Sequence, residues 1–303
     1  MRTGVFGLLA GVVVSLCTGC VMSPAQRGDT HPVAFIELTI EDAHQAIRER
    51  RISCEQLTRR YLKRIETYDQ PTQLNAIIYI NPNAIERARS LDEQYGITGR
   101  MKRLHCIPVI LKDNFDTADM PTEAGSMAMR GANPPDDAFM VRRLRAQDAI
   151  VIAKSNMSEW AFSPYETVSS THGETRNAYD VSRVPAGSSG GTASAIAANF
   201  GIIGMGTDTG NSIRGPASHL ELVGLRSTMG VTSRDGIVPL LLNRDVGGPL
   251  MRNVTDTAIV FSVIAGVDAA DPATAAAAGR VQDDYTVYLK KDGLQGARLG
   301  VLR

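Results

Sequence analysis

Apolar residues recur along this chain with two different periods. Thr39 to Asp42 carries the spacing of a helix capping box, and Ser53 to Gln56 repeats it, so a helix should follow each. Beyond the second, Leu57, Tyr61, Leu62, Ile65 and Tyr68 recur at helical spacing and read as one core-facing stripe. Ala76 to Ile80 reads as a strand. Pro82 suits a helix start, with helix to Tyr95 and loop from Gly96 to Arg103. Two short apolar runs, Ile107–Leu111 and Ala149–Ala153, each end at a lysine, Lys112 and Lys154, and flank a helical stretch from Asp136 to Gln147. Strand, helix, strand is the βαβ pattern of a sheet covered on both faces. Ser163 to Val184 is polar and irregular. Thr192 to Asn199 reads as a small-residue helix, Val254 to Ala265 as an apolar helix, Asp271 to Ala278 as a loop or short helix, and Ala297 to Leu302 as the start of a further strand. The fold expected is α/β, with a mixed, largely buried sheet between helices.

Composition narrows this little. Lys plus Arg and Asp plus Glu each number 32 in 303 residues, so there is no basic excess to suggest nucleic acid. The length suits one large domain. The N-terminal residues are different in kind. A positive start at Arg2, an apolar run from Gly4 to Cys17 and small residues before Cys20 read as a secretory signal of the lipoprotein type, with lipidation at Cys20. Plain cleavage nearby or an uncleaved anchor are the alternatives. We therefore expect a targeting peptide over 1–20, a polar tether over 21–34, a catalytic domain over 35–303, and an exported, membrane-attached product. Cys54 and Cys106 lie far apart, make no disulfide framework, and are expected to be two small buried residues. The five histidines form no ligand pair at helical spacing, so no metal is expected.

The candidate chemistry lies between Gly187 and Arg214. Two glycine-flanked serine sites, Gly187-Ser188-Ser189-Gly190-Gly191 and Gly210-Asn211-Ser212, bracket a helical run and a small-residue apolar run. Glycine beside serine lets backbone N–H groups approach a bound group closely. A serine nucleophile needs a base. One option is histidine: the first site matches G-x-S-x-G, with Ser189 as nucleophile and His172 or His219 nearby. The strand that such an elbow requires is poor here, because Pro185 interrupts it. The other option is a neutral lysine, whose pKa burial would have to bring from about 10.4 toward 7–8. Lys112 and Lys154 are both placed for that, although a strand-end lysine is more often solvated.

The block Gly206-Thr207-Asp208-Thr209-Gly210-Asn211-Ser212-Ile213-Arg214 resembles the signature of the amidase signature family. Leu111-Lys112-Asp113-Asn114, Thr122-Glu123-Ala124-Gly125-Ser126, Gly224-Leu225-Arg226 and Gly248-Pro249-Leu250 follow the same order of motifs, and the resemblance runs from about Ile36 onward. It implies a Lys112, Ser188, Ser212 triad. Ser212 matches the nucleophile and Ser188 the bridging serine, which the family holds after a cis peptide bond. Lys112 matches the base, and Lys154 falls outside the motif. The N–H groups of Thr209, Gly210, Asn211 and Ser212 match the oxyanion donors. The implied reaction is hydrolysis of a carboxamide through an acyl-enzyme, with no metal or organic cofactor and with a small-molecule or peptide amide as substrate. Asp208 and Arg214 are expected to be a structural ion pair.

Some features depart from the family pattern. Asn211 stands where glycine is usual, His219-Leu220-Glu221 replaces small polar residues, and Ser227 stands where proline is common. Family members also continue well past this length. These features make an impaired remnant the alternative to an active amidase. Ser158-Glu159-Trp160 and Thr175-Arg176-Asn177 look most like peptide amidases. The other relative in view is the component of a tRNA-dependent amidotransferase that hydrolyses the amide of glutamine, and the N-terminal signal argues against it.

Overall fold

The protein is described here by a computed structural model covering Met1 and residues 34–301. All of the targeting peptide but Met1, with Cys20, lies outside the described residues, as does all of the 21–34 tether but its last residue. No helix among the described residues is long and apolar enough to cross a membrane.

Both expected capping boxes form. The Thr39 hydroxyl accepts the Asp42 N–H, and the Asp42 carboxylate accepts the Thr39 N–H in return, opening α1 (Ile40–Arg48). Ser53 and Gln56 do the same for α2 (Cys54–Tyr68). Leu57, Tyr61 and Ile65 face the core from α2, whereas Tyr68 at its end is exposed. Then come β1 (Ile77–Ile80) and α3 (Ala84–Thr98). This helix runs through Gly96 and ends only at Gly99, whose φ of 62° makes it the left-handed C-cap.

Next follow β2 (Pro108–Lys112), α4 (Phe139–Ala146) and β3 (Ile150–Ser155), with β2 and β3 parallel, so the expected βαβ unit is present. The stretch expected to be irregular holds a two-stranded hairpin, β4 (Thr167–Ser169) and β5 (Gly173–Thr175). The remaining elements are α5 (Gly190–Ala197), β6 (Ile203–Asp208), α6 (Arg214–His219), β7 (Val223–Gly224), β8 (Val246–Met251) and α7 (Val254–Ile264). Six strands form one mixed sheet in the order β1-β3-β2-β6-β8-β7, with β3, β2 and β6 parallel and β1, β8 and β7 antiparallel to their neighbours.

The central strands β2, β3, β6 and β8 are buried along their whole length, and one core cluster joins them to α1–α5 and α7. Helix α5 lies close on the sheet because β6 offers it glycine. A Cβ on Gly204 would sit 2.6 Å from Ile196 Cγ1 and 2.9 Å from the Leu250 carbonyl, and one on Gly191 would sit 2.1 Å from the Asn156 carbonyl.

Two expectations fail. Residues 297–301 are exposed and form no strand; no neighbouring strand among the described residues pairs with them, and an unpaired strand has nothing to hold it. Cys54 and Cys106 are joined as a disulfide, with Cα atoms 5.1 Å apart. They are separated by 52 residues in sequence, but α2 begins beside the entrance to β2, so the fold brings them together.

Candidate active site

Register decides which lysine meets the serines. Leu111 pairs with Lys154 and Lys112 with Ser155 across the parallel β2–β3 ladder. Side chains alternate between faces along a strand, so the two lysines project to opposite sides of the sheet. Lys112 and Ser155 share the α5 side, where the Ser155 hydroxyl meets Thr192 of α5 at 2.7 Å. The turn that opens α5 carries Ser188, and Lys112 Nζ lies 2.7 Å from Ser188 Oγ.

Lys112 is fully buried. Its other partners are Thr207 Oγ1 at 2.8 Å and the Thr207 carbonyl at 3.5 Å, with Asn114 Nδ2 donating to the same Thr207 hydroxyl at 3.1 Å. Burial in this setting brings the amine down to about 7, against the opposing pull of the Asp208 and Asp245 carboxylates. A neutral Lys112 can accept a proton from Ser188 while donating to Thr207.

Lys154 is equally buried but differently surrounded. It donates to the Phe115 carbonyl at 2.7 Å, the Pro121 carbonyl at 3.0 Å and Thr122 Oγ1 at 3.0 Å, and pairs with the buried Asp113 carboxylate at 3.5 Å. It braces the loop after β2 and touches neither serine site among the described residues.

The Gly187–Ser188 peptide bond is cis. The turn is fixed on both flanks: Gly187 N–H donates to the Pro164 carbonyl at 3.0 Å, Ser158 N–H to the Ser188 carbonyl at 3.1 Å, and Thr167 Oγ1 joins the Gly190 N–H to the Ala186 carbonyl. Ser189 is occupied structurally, donating to the Thr207 carbonyl at 3.1 Å and accepting the Thr207 N–H at 3.4 Å. Neither candidate histidine serves it. His172 Nε2 faces Glu123 at 3.1 Å, and His219 Nδ1 faces the Val184 carbonyl. With no strand before the turn either, the hydrolase-elbow geometry is absent among the described residues.

Ser212 ends the loop that follows β6. Its residue is nearly buried, and its hydroxyl makes no hydrogen bond among the described residues. The N–H groups of Thr209, Gly210, Asn211 and Ser212 likewise meet no protein acceptor among the described residues, whereas the next two, Ile213 and Arg214, both donate to Asp208. Four consecutive free donors beside a free hydroxyl can receive a developing oxyanion.

The loop is anchored from below. Buried Asp208 pairs with Arg214 at 3.1 Å and Arg226 at 3.2 Å, and Arg226 also bonds the Asp208 carbonyl. Burial pushes the Asp208 carboxyl up, but hydrogen bonds from Arg214 and from the Ile213 and Arg214 N–H groups outweigh it and hold the pKa below the usual carboxylate value. Asp245 binds the Thr209 hydroxyl and accepts the Leu240 and Leu241 N–H groups at 2.8 and 2.9 Å.

Asn211 stands in the oxyanion loop where the family usually has glycine. Its φ is not positive, so glycine's conformational freedom is not needed there. Its side chain packs on Gly215 and reaches the Pro164 carbonyl at 3.4 Å. Sequence reasoning missed Thr207, Asn114 and Arg226 as partners in this site. All three lie inside motif blocks, which was the available signal, but their contacts cross 18 to 95 positions of chain.

Known proteins share this chain's sequence pattern and fold. The family model described as Amidase matches residues 56–303. The chain is 37% identical over 274 residues to a probable amidase of Arabidopsis thaliana, covering 88% of this chain and 53% of that protein. Glutamyl-tRNA(Gln) amidotransferase of Caldanaerobacter subterraneus has a subunit that is 38% identical over 267 residues, with the same two coverages. Among solved structures, native peptide amidase from Stenotrophomonas maltophilia matches with a TM-score of 0.82 at 43% identity, over 88% of this chain and 55% of that one. The chain thus spans about half the length of the relatives it matches. By family model, sequence and fold together, this chain belongs to the amidase family.

Proposed function

We propose that this chain carries the acyl-transfer machinery of a serine amidase, which cleaves a carboxamide to a carboxylate and ammonia or an amine. The observation that carries this is the buried Lys112, brought down to about 7 and 2.7 Å from Ser188 Oγ. Ser212 is the nucleophile. Ser188 takes its proton and passes its own to Lys112. Substrate binding draws Ser212 Oγ onto Ser188, as catalytic hydrogen bonds commonly tighten only in the complex. The Ser212 oxygen bonds to the amide carbon, and the carbonyl oxygen becomes an oxyanion received by the N–H groups of Thr209, Gly210, Asn211 and Ser212. The proton returns through Ser188 to the leaving nitrogen as the C–N bond breaks. Water, deprotonated by the same relay, then attacks the acyl-enzyme and frees Ser212.

The expected test is release of ammonia from C-terminal peptide amides and small carboxamides. Ser212→Ala should abolish it; turnover retained in that variant would remove Ser212 as nucleophile. The family resemblance to peptide amidases makes the peptide amides the first substrates to try.

The N-terminal signal reading makes the protein exported and lipidated at Cys20. The Cys54–Cys106 disulfide supports that placement independently, since such bonds persist in oxidising compartments. Mass spectrometry of the membrane fraction should find a diacylated N-terminus at Cys20. An unmodified N-terminus on a soluble chain would overturn the anchor.

A further inference from the structure

We propose that Cys54, His105 and Cys106 form a second site, unrelated to amide hydrolysis, that binds a thiophilic divalent cation of the Zn(II) type once the disulfide is reduced. The two sulfurs and an imidazole nitrogen lie within 4.8 Å of one another, and all three residues are buried. Cys54 Sγ is 3.7 Å from His105 Nε2. That matches the separation of neighbouring sulfur and nitrogen ligands in a tetrahedral zinc site, about 3.6 Å for metal–ligand bonds of about 2.3 and 2.05 Å.

The imidazole is already aimed. Its Nδ1 faces Asp148 Oδ2 at 3.6 Å and has no closer hydrogen-bond partner, while Asp148 Oδ1 is held by Arg87 at 3.0 Å and Lys102 at 3.2 Å. A carboxylate behind a ligating histidine is the usual device for fixing its tautomer and orientation. Cys106 holds a left-handed backbone, φ 65°, which a side-chain-bearing residue keeps only where its surroundings impose it. Cys54 opens α2, a position that favours thiolate, although the Asp92 carboxylate bound to its N–H at 2.7 Å offsets part of that.

The step balances with a dithiol reductant. Two electrons and two protons pass to the Cys54–Cys106 bond as the reductant closes its own disulfide, and cation binding then displaces both thiol protons. The trio supplies three ligands, leaving the fourth tetrahedral position to an exogenous one. In either state the site clamps the start of α2 to a residue two positions before β2, the strand that ends in Lys112.

The test uses the full chain, reduced with a phosphine and titrated with Co(II), with no amidase assay involved. One equivalent should bind, with a thiolate-to-cobalt charge-transfer band and the intense ligand-field bands of a tetrahedral ion, displaced by Zn(II). Cys54→Ser and Cys106→Ser should each abolish the charge-transfer band or halve its intensity with at least a hundredfold loss of affinity. Asp148→Asn, which leaves all three ligands, should weaken binding roughly tenfold. The absence of a thiolate band in a reduced chain that keeps its circular dichroism would overturn the site. Uptake unchanged in Cys54→Ser would do so too, as would unfolding on reduction even with Zn(II) present.

Discussion

Two lysines near strand ends, both fully buried, have amines that burial pushes down, but their partners differ. Around Lys154 the Asp113 carboxylate opposes the effect of burial, beside two carbonyls and the Thr122 hydroxyl. Lys112 faces two hydroxyls and a weaker carbonyl contact, a setting that suits a neutral amine. Because Lys112 must be neutral to act, kcat/KM for a neutral amide should rise through about pH 7 and level off above it. A profile flat across that range would mean that Lys112 is not the base.

The same group shapes stability with a definite sign. Its folded pKa lies below its unfolded one, so under pH 7 both states are protonated and the burial penalty is complete. Between about 7 and 10 the unfolded chain holds a proton that the folded chain has released, and stability rises with pH, by on the order of 5 kcal/mol if the whole shift is realised. Urea titrations at pH 6 and 9 should show this rise in the wild type and its loss in Lys112→Met. Lys154→Met, by contrast, strips the buried Asp113 of its partner and should cost about 3–5 kcal/mol. These roles were only half legible in the sequence. Both lysines end an apolar run, and only the surrounding motif separates them. The reason for the difference is a one-residue offset in strand register, which no local pattern encodes.

Among the elements, helix α5 sets the position of Ser188, and its closeness to β6 depends on residues without side chains. Gly204→Val should overpack the interface and cost about 1–3 kcal/mol, read as a lower urea midpoint. It should also lower kcat, because α5 and the Ser188 turn would shift together. An unchanged midpoint would show that the helix has room that the contacts deny. Helices α1 and α2 were readable because their caps and periodicities are local, whereas the short, uncapped α6 was not anticipated. Strand β8 was not, because Gly247, Gly248 and Pro249 carry turn signals, and only pairing between β6 and β7 makes them strand. The β4–β5 hairpin was hidden in the same way, by a polar composition that gives no alternation.

Over the whole molecule, the fold class follows from the βαβ unit and the motif order, whereas the disulfide does not. Two cysteines 52 residues apart carry no signal of contact until α2 is seen to start beside the entrance to β2. Closing a loop of that length should stabilise the chain by about 4 kcal/mol in the chain-entropy picture, so Cys54→Ser in metal-free buffer should lose about that much. A loss under 1 kcal/mol would mean that the bond restrains little in the unfolded chain.

Amide hydrolysis by this chain rests on one activated serine, and labelling with a fluorophosphonate probe followed by peptide mapping tests it most directly. The folded chain should carry the adduct on Ser212, and Lys112→Met should lose it while Lys154→Arg retains it. An adduct on Ser189, or no adduct on a chain shown to be folded, would contradict the assignment.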